Sequence, residues 1–149
     1  MYFKYAYCLV LFKDGKSVTT YFMRRFKMDG MRVMIADDEF HVRTVLRAIV
    51  NGIPGSVVGE AENGKDVLEK YREVLPDLLL LDINMPLKTG DLVIAELMED
   101  YPEARVIMLT GVADSATVEK CIEAGACGYI RKDTPSEEMR DLIRTIMAD

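Results

Sequence analysis

The chain has 149 residues, half of them apolar, and a formal charge of −6, which fits one domain with a full core and a small appendage. No apolar run approaches the roughly 20 residues of a membrane-spanning helix, and the hydrophobic piece at residues 5–12 has only Lys4 before it and Lys13-Asp14-Gly15-Lys16 after it, which argues against secretion. Three cysteines, Cys8, Cys121 and Cys127, without ligand spacing, and one histidine, His41, support neither a zinc site nor a disulfide framework, so the protein is read as cytoplasmic.

Charge is unevenly spread along the chain. Residues 1–30 hold six Lys or Arg against two Asp, leaving 13 basic and 23 acidic residues, a charge of −10, for residues 31–149. Phosphate backbones need a basic face, so direct nucleic-acid binding by the main domain is not expected; its acidity suits a protein partner or a divalent cation. In the extension, residues 5–12, a Lys13-Asp14-Gly15-Lys16 turn and residues 17–22 predict a β-hairpin, Asp-Gly being a strong two-residue turn signal. Arg24-Arg25-Phe26-Lys27 would follow as a basic linker. An isolated hairpin is marginal in water, and translation starting at Met28 or Met31 would leave residues 1–30 out of the native protein. Hairpin, disorder and start-site artefact therefore stay open for this segment.

From Met31 onward, strand and helix patterns alternate five times. Met31–Ala36 reads as a strand. Residues 39–50 carry Phe40, Val42, Val45, Leu46, Ile49 and Val50 mostly at helical spacing, and Asn51-Gly52 with Pro54 stops that helix. Residues 56–61 form a second strand. Asn63-Gly64 then opens a helix over 65–74, with Val67, Leu68, Tyr71 and Leu75 on its inner face. Pro76 closes this helix, residues 77–81 make a third strand, and 85–90 are a loop ahead of a helix over 91–100. A fourth strand covers 106–109, a fourth helix 114–124 ends at Gly125, and a fifth strand covers 126–130. Thr134 is the expected cap of the last helix, with Pro135 in its first turn and Glu137 and Glu138 near its positive end. The cysteines read as small buried apolar residues, as Cys121 illustrates by its helical spacing from Val118 and Ile122. His41 reads as a surface residue of the first helix.

Five β-α repeats with short links predict an α/β domain with a five-stranded parallel sheet. Right-handed crossovers make it doubly wound, a flavodoxin-like (βα)5 three-layer sandwich. Residues 31–149 make one complete unit, either a stand-alone module or a piece cut at a domain boundary. Four of its strands end on polar groups: Asp37-Asp38, Asp82, Thr110 and Lys132. In a parallel sheet those ends share one edge, where ligands bind. Four leucines before Asp82 suit a strand covered on both faces.

Three carboxylates brought together repel, at about 4 kcal/mol per pair for ~4 Å and an effective dielectric near 20. An oxygen-only site of this kind calls for Mg2+. Asp38 and Asp82 are the expected direct ligands, with Asp37 acting through water and the backbone carbonyl of Asn84 completing the set. One oxygen of Asp82 remains able to attack phosphorus and form an acyl phosphate. The Lys132 ammonium and the Thr110 hydroxyl then serve the developing charge.

These residues resemble the receiver domain of two-component response regulators, over residues 31–149. Ile35-Ala36-Asp37-Asp38-Glu39 is similar to that family's acidic pair, and Leu81-Asp82-Ile83-Asn84-Met85-Pro86 to its phosphoacceptor strand. Leu109-Thr110-Gly111 is similar to its switch hydroxyl, and Gly128-Tyr129-Ile130-Arg131-Lys132 to its lysine motif. The resemblance implies a switch rather than an enzyme with small-molecule turnover. Its phosphoryl group would come to Asp82, with Mg2+, from a histidine kinase or histidine phosphotransfer protein. It further implies that Thr110 and Tyr129 rearrange on phosphorylation and remodel the face made by the domain's fourth helix, fifth strand and fifth helix, which a downstream protein or a second phosphorylated copy could read. One departure is Asp133, where many members have proline, so the cis peptide of those members is not expected here. A Lys-Asp pair resembles receivers attached to helix-turn-helix transcription factors.

Two other α/β readings fare worse. A phosphatase of the haloacid dehalogenase superfamily needs a second Asp two residues after the nucleophile to protonate the leaving group, and Asn84 stands there. A flavodoxin-like nucleotide or flavin binder needs a phosphate-cradling loop after the first strand, and Asp37-Asp38-Glu39 would repel phosphate. A degenerate receiver used only for protein contacts would not keep the full polar set.

Overall fold

The computed structural model describes residues 10–13, 16–19, 30–111 and 115–148. Strands β1 (Val10–Lys13) and β2 (Lys16–Thr19) pair antiparallel with Lys13 opposite Lys16, the register that the Asp14-Gly15 signal implies. The rest of the expected hairpin and the basic linker lie outside the described residues.

The remaining elements alternate as β3 (Met31–Ala36), α1 (Phe40–Asn51), β4 (Gly55–Ala61), α2 (Gly64–Val74), β5 (Leu78–Asp82) and α3 (Gly90–Asp100). They continue as β6 (Val106–Thr110), α4 (Ser115–Glu123), β7 (Gly128–Arg131) and α5 (Ser136–Ala148). Strands β3 to β7 form one parallel sheet in the order β4-β3-β5-β6-β7. This is the predicted doubly wound arrangement. The winding reverses at β3, between its neighbours β4 and β5, and such a switch point opens a crevice at the carboxyl ends of the strands.

The run Leu78, Leu79, Leu80 and Leu81 shows why β5 lacks a polar face. Leu79 and Leu81 join Met34, Val106 and Met108 beneath α2, α3 and α4, packing on Val67, Ile94, Leu97 and Cys121. Leu78 and Leu80 point the other way with Val33, Ile35 and Ile107, onto Leu46, Ile49, Met139 and Ile143 of α1 and α5. Alternate residues of a strand face opposite sides, so two helical layers demand leucine at every position. Full burial of each contributes about 1.5–3 kcal/mol.

Local signals act as expected at several boundaries. The Asn63 side chain accepts a hydrogen bond from the Asp66 N–H at 2.9 Å and caps α2. Gly125, at φ +118°, follows α4 in a conformation that L side chains rarely adopt. No peptide is cis among the described residues. His41 lies exposed on α1.

Three expectations need correction. Leu75 is not on the inner face of α2: it is the helix's left-handed cap, at φ 42°, and is 52% exposed. The left-handed turn carries the side chain off the helical stripe. Phe40 and Val45 belong to the apolar set of α1 by spacing, yet both face solvent, while Arg43 takes an inward position. Cys127 is exposed, in contrast to Cys121; it precedes β7, at the edge of the sheet.

Candidate functional site

Parallel register brings the strand ends level. Ala36 lies beside Leu81, Asp82 beside Leu109, and Thr110 beside Arg131. The residue after β3 is Asp37, the last of β5 is Asp82, the last of β6 is Thr110, and the residue after β7 is Lys132. The Lys132 N–H donates to the Thr110 carbonyl at 2.8 Å, which fixes the lysine over the edge.

Lys132 joins the acids. Its Nζ lies 2.7 Å from Asp37 Oδ2, 3.0 Å from Asp82 Oδ2 and 3.5 Å from Glu39 Oε1. Asp37, Asp82 and Thr110 are buried, while Asp38, Glu39 and Asn84 are exposed above them. The remaining oxygens of the two buried carboxylates are held by the backbone. The Glu39 N–H donates to Asp37 Oδ1 at 2.9 Å, and the Asn84 N–H to Asp82 Oδ1 at 3.2 Å.

Burial pushes the Asp82 carboxyl up to about 6, the Asp37 charge adding to the rise, while the Lys132 hydrogen bond and the Asn84 N–H work against it. Burial disfavours the charged form of Lys132, but the hydrogen bonds its ammonium donates to Asp37 and Asp82 outweigh it and raise the ammonium above its ordinary value. Asp82 therefore remains largely ionised at neutral pH while poorly solvated, the state of a carboxylate that can act as a nucleophile.

The site also suits a hard cation. Asp37, Asp38 and Glu39 each present a carboxylate oxygen within 4.8 Å of the others. Asp37 Oδ2 is buried and its one close partner is the Lys132 ammonium, 2.7 Å away. Oxygen donors alone, with more acidic groups than the single ammonium can neutralise, fit Mg2+ rather than a soft metal.

The sequence profile of the response regulator receiver domain matches residues 33–144. The chain belongs to this family. A chemotaxis protein CheY from Thermotoga maritima is 39% identical over 103 residues, covering 69% of this chain and 86% of that protein. The response regulator GacA of Pseudomonas aeruginosa is 34% identical over 119 residues, and there the chain spans 56% of the relative's length. Among solved structures, a complex of CheX and CheY with BeF3 and Mg2+ from Borrelia burgdorferi superposes with a TM-score of 0.76 at 25% identity, covering 80% of this chain and 90% of that one. Receiver domains are signalling switches of two-component systems and use Mg2+ at an acidic pocket. In this receiver no helix among the described residues is long and apolar enough to cross a membrane.

Tyr129, the remaining expected site residue, lies half-exposed on the edge strand β7. Sequence reading overlooked two residues that the receiver fold brings to the pocket. Glu39 reads as the start of α1 but reaches Lys132. Arg43 lies outside the apolar set read from the spacing of α1, yet its guanidinium is buried below the Asp37 loop. The available signal was its position, three and seven residues before the inward-facing Leu46 and Val50.

Proposed function

We propose that this receiver domain accepts a phosphoryl group on Asp82 from the phosphohistidine of a histidine kinase or histidine phosphotransfer protein, with Mg2+, as a switch in a phosphorelay. The supporting observation is the bridge of Lys132 between Asp37 and Asp82, at 2.7 and 3.0 Å. An Asp82 oxygen forms the bond to phosphorus as the bond to the imidazole nitrogen breaks, and that nitrogen keeps the electron pair. Lys132 and the Thr110 hydroxyl would meet charge on the transferring oxygens. Asp38, Asp82 and the Asn84 carbonyl would hold Mg2+, with Asp37 acting through water. Bound there, the ion supplies further positive charge to the phosphoryl oxygens and offsets repulsion among the acids.

Residues 31–149 are the working unit in this reading, with 1–30 an appendage, and the setting is cytoplasmic. Phosphorylated Asp82 would draw Thr110 toward it and let Tyr129 turn inward. The half-exposed position of Tyr129 leaves that motion open. The output surface would be the face of α4, β7 and α5, read by a downstream protein or by a second phosphorylated copy. Asn84 is a poor base for activating water, which favours a phosphoryl group that persists.

The test is incubation with acetyl phosphate and Mg2+, followed by mass spectrometry. The expected result is a gain of one phosphoryl mass that EDTA and Asp82→Asn abolish. No gain, or a gain that survives the substitution, overturns the proposal.

A further inference from the structure

We infer that Arg43 is a positioning residue for the acidic loop, holding the Asp37–Asp38 peptide so that both carboxylates present themselves to a divalent cation. This rests on the functional reading above and extends it to a residue outside the strand-end set. Only 4% of Arg43 is exposed, and the structure gives each end of its guanidinium a separate task. Nη1 donates to the backbone carbonyl of Asp37 at 2.8 Å, Nε to Glu60 Oε2 at 3.1 Å, and Nη2 to Glu62 Oε1 at 2.6 Å.

The contact with Asp37 is to the main chain. Its carbonyl belongs to the peptide from which both Asp37 and Asp38 hang, so fixing that plane fixes the origin of two side chains. Two further bonds complete the clamp: the Asp37 N–H donates to the Ala61 carbonyl at 3.1 Å, and the Glu39 N–H holds Asp37 Oδ1. Asp37 Oδ2 is left to face the Lys132 ammonium at 2.7 Å. Arg43 thus ties the loop after β3 to the end of β4 through Glu60 and the following Glu62. It also places a positive charge below a cluster of acids.

Lysine cannot replace this fork. An ammonium carries the same charge but cannot span three acceptors in fixed directions. Arg43→Lys therefore separates geometry from charge, since a purely Coulombic role would survive it. The Phe40 ring, 5.6 Å from the guanidinium carbon, shields the outer side of the fork and would do so less well over a mobile ammonium.

The experiment is calorimetric titration of Mg2+ into the unphosphorylated full chain near physiological ionic strength, with thermal unfolding recorded for every variant. Arg43→Lys is expected to weaken Mg2+ binding roughly tenfold, the scale on which groups that orient a metal's ligands act. Arg47→Gln removes the neighbouring pair to Glu60 without touching Asp37 and is expected to leave the affinity within about twofold, whatever it does to stability. If Arg43→Lys does not fold, Glu62→Ala, which removes the exposed partner of Nη2, takes its place and is expected to weaken binding several-fold. Wild-type affinity in the folded Arg43→Lys protein, or in Glu62→Ala where that replaces it, overturns the inference alone. A wild-type chain that binds no Mg2+ overturns the functional reading and this inference together.

Discussion

Replacing Asp82 by asparagine should stabilise the protein, and by an amount that depends on pH in a defined direction. Burial holds the Asp82 carboxyl at about 6 instead of its ordinary 3.8. A group that binds its proton more tightly in the folded chain contributes stability that is fully present below the unfolded value and lost as pH rises through the folded one. The gap between the two values corresponds to about 3 kcal/mol of lost stability above pH ~7, roughly half of that near pH 5 and almost none near pH 3. Local relaxation lowers the measurable part, so Asp82→Asn should gain about 1–2 kcal/mol near pH 8, a rise in Tm of roughly 4–8 °C for a domain of this size. Lys132 keeps its Asp37 partner at 2.7 Å in the variant, so no buried cation is stranded. Urea unfolding in EDTA at several pH values between about 4 and 8 reads the difference between variant and wild type. A gain that is constant with pH, or that grows toward acid, would refute the argument that the ionised Asp82 is the source of the cost.

Other substitutions probe the same edge. Lys132→Met removes the cation shared by Asp37 and Asp82 and should slow phosphorylation by acetyl phosphate by about 10²–10³-fold, with the product followed by mass spectrometry. Gly90→Ala places a Cβ 2.3 Å from the Asp82 carbonyl oxygen, whereas the same change at Gly111 meets nothing within 4 Å. The first should cost about 1–3 kcal/mol and impair phosphorylation; the second should do neither, as urea melts and the same assay will show. Leu75→Gly should stabilise by up to ~1 kcal/mol by relieving a left-handed backbone at φ 42°, again read by urea unfolding.

The parts of this structure legible in the sequence are those written in local patterns. Short apolar-rich runs mark four of the five parallel strands, and the polar residues at their carboxyl ends mark the edge where the site forms; the remaining strand, Gly55–Ala61, is mixed in character and ends on Ala61. Asp37, Asp82, Thr110 and Lys132 could be grouped because a parallel sheet has only one carboxyl edge. What stayed hidden depends on direction. Spacing alone cannot say which way an amphipathic helix faces when an arginine lies on the inner stripe and Phe40 on the outer. Arg43 is buried because Glu60, Glu62 and the Asp37 carbonyl come from other segments to satisfy it, and without them the same residue would face water. Glu39 is hidden for a related reason: local sequence assigns it to the start of a helix, and only the approach of Lys132, more than ninety residues later, makes it part of the site. Strand ends therefore reveal which groups meet, whereas the residues that set their angle and charge emerge only from contacts between distant segments. Arg43 is the sharpest case, because its direct contact with the acidic pair is to a backbone carbonyl, which no side-chain motif can encode.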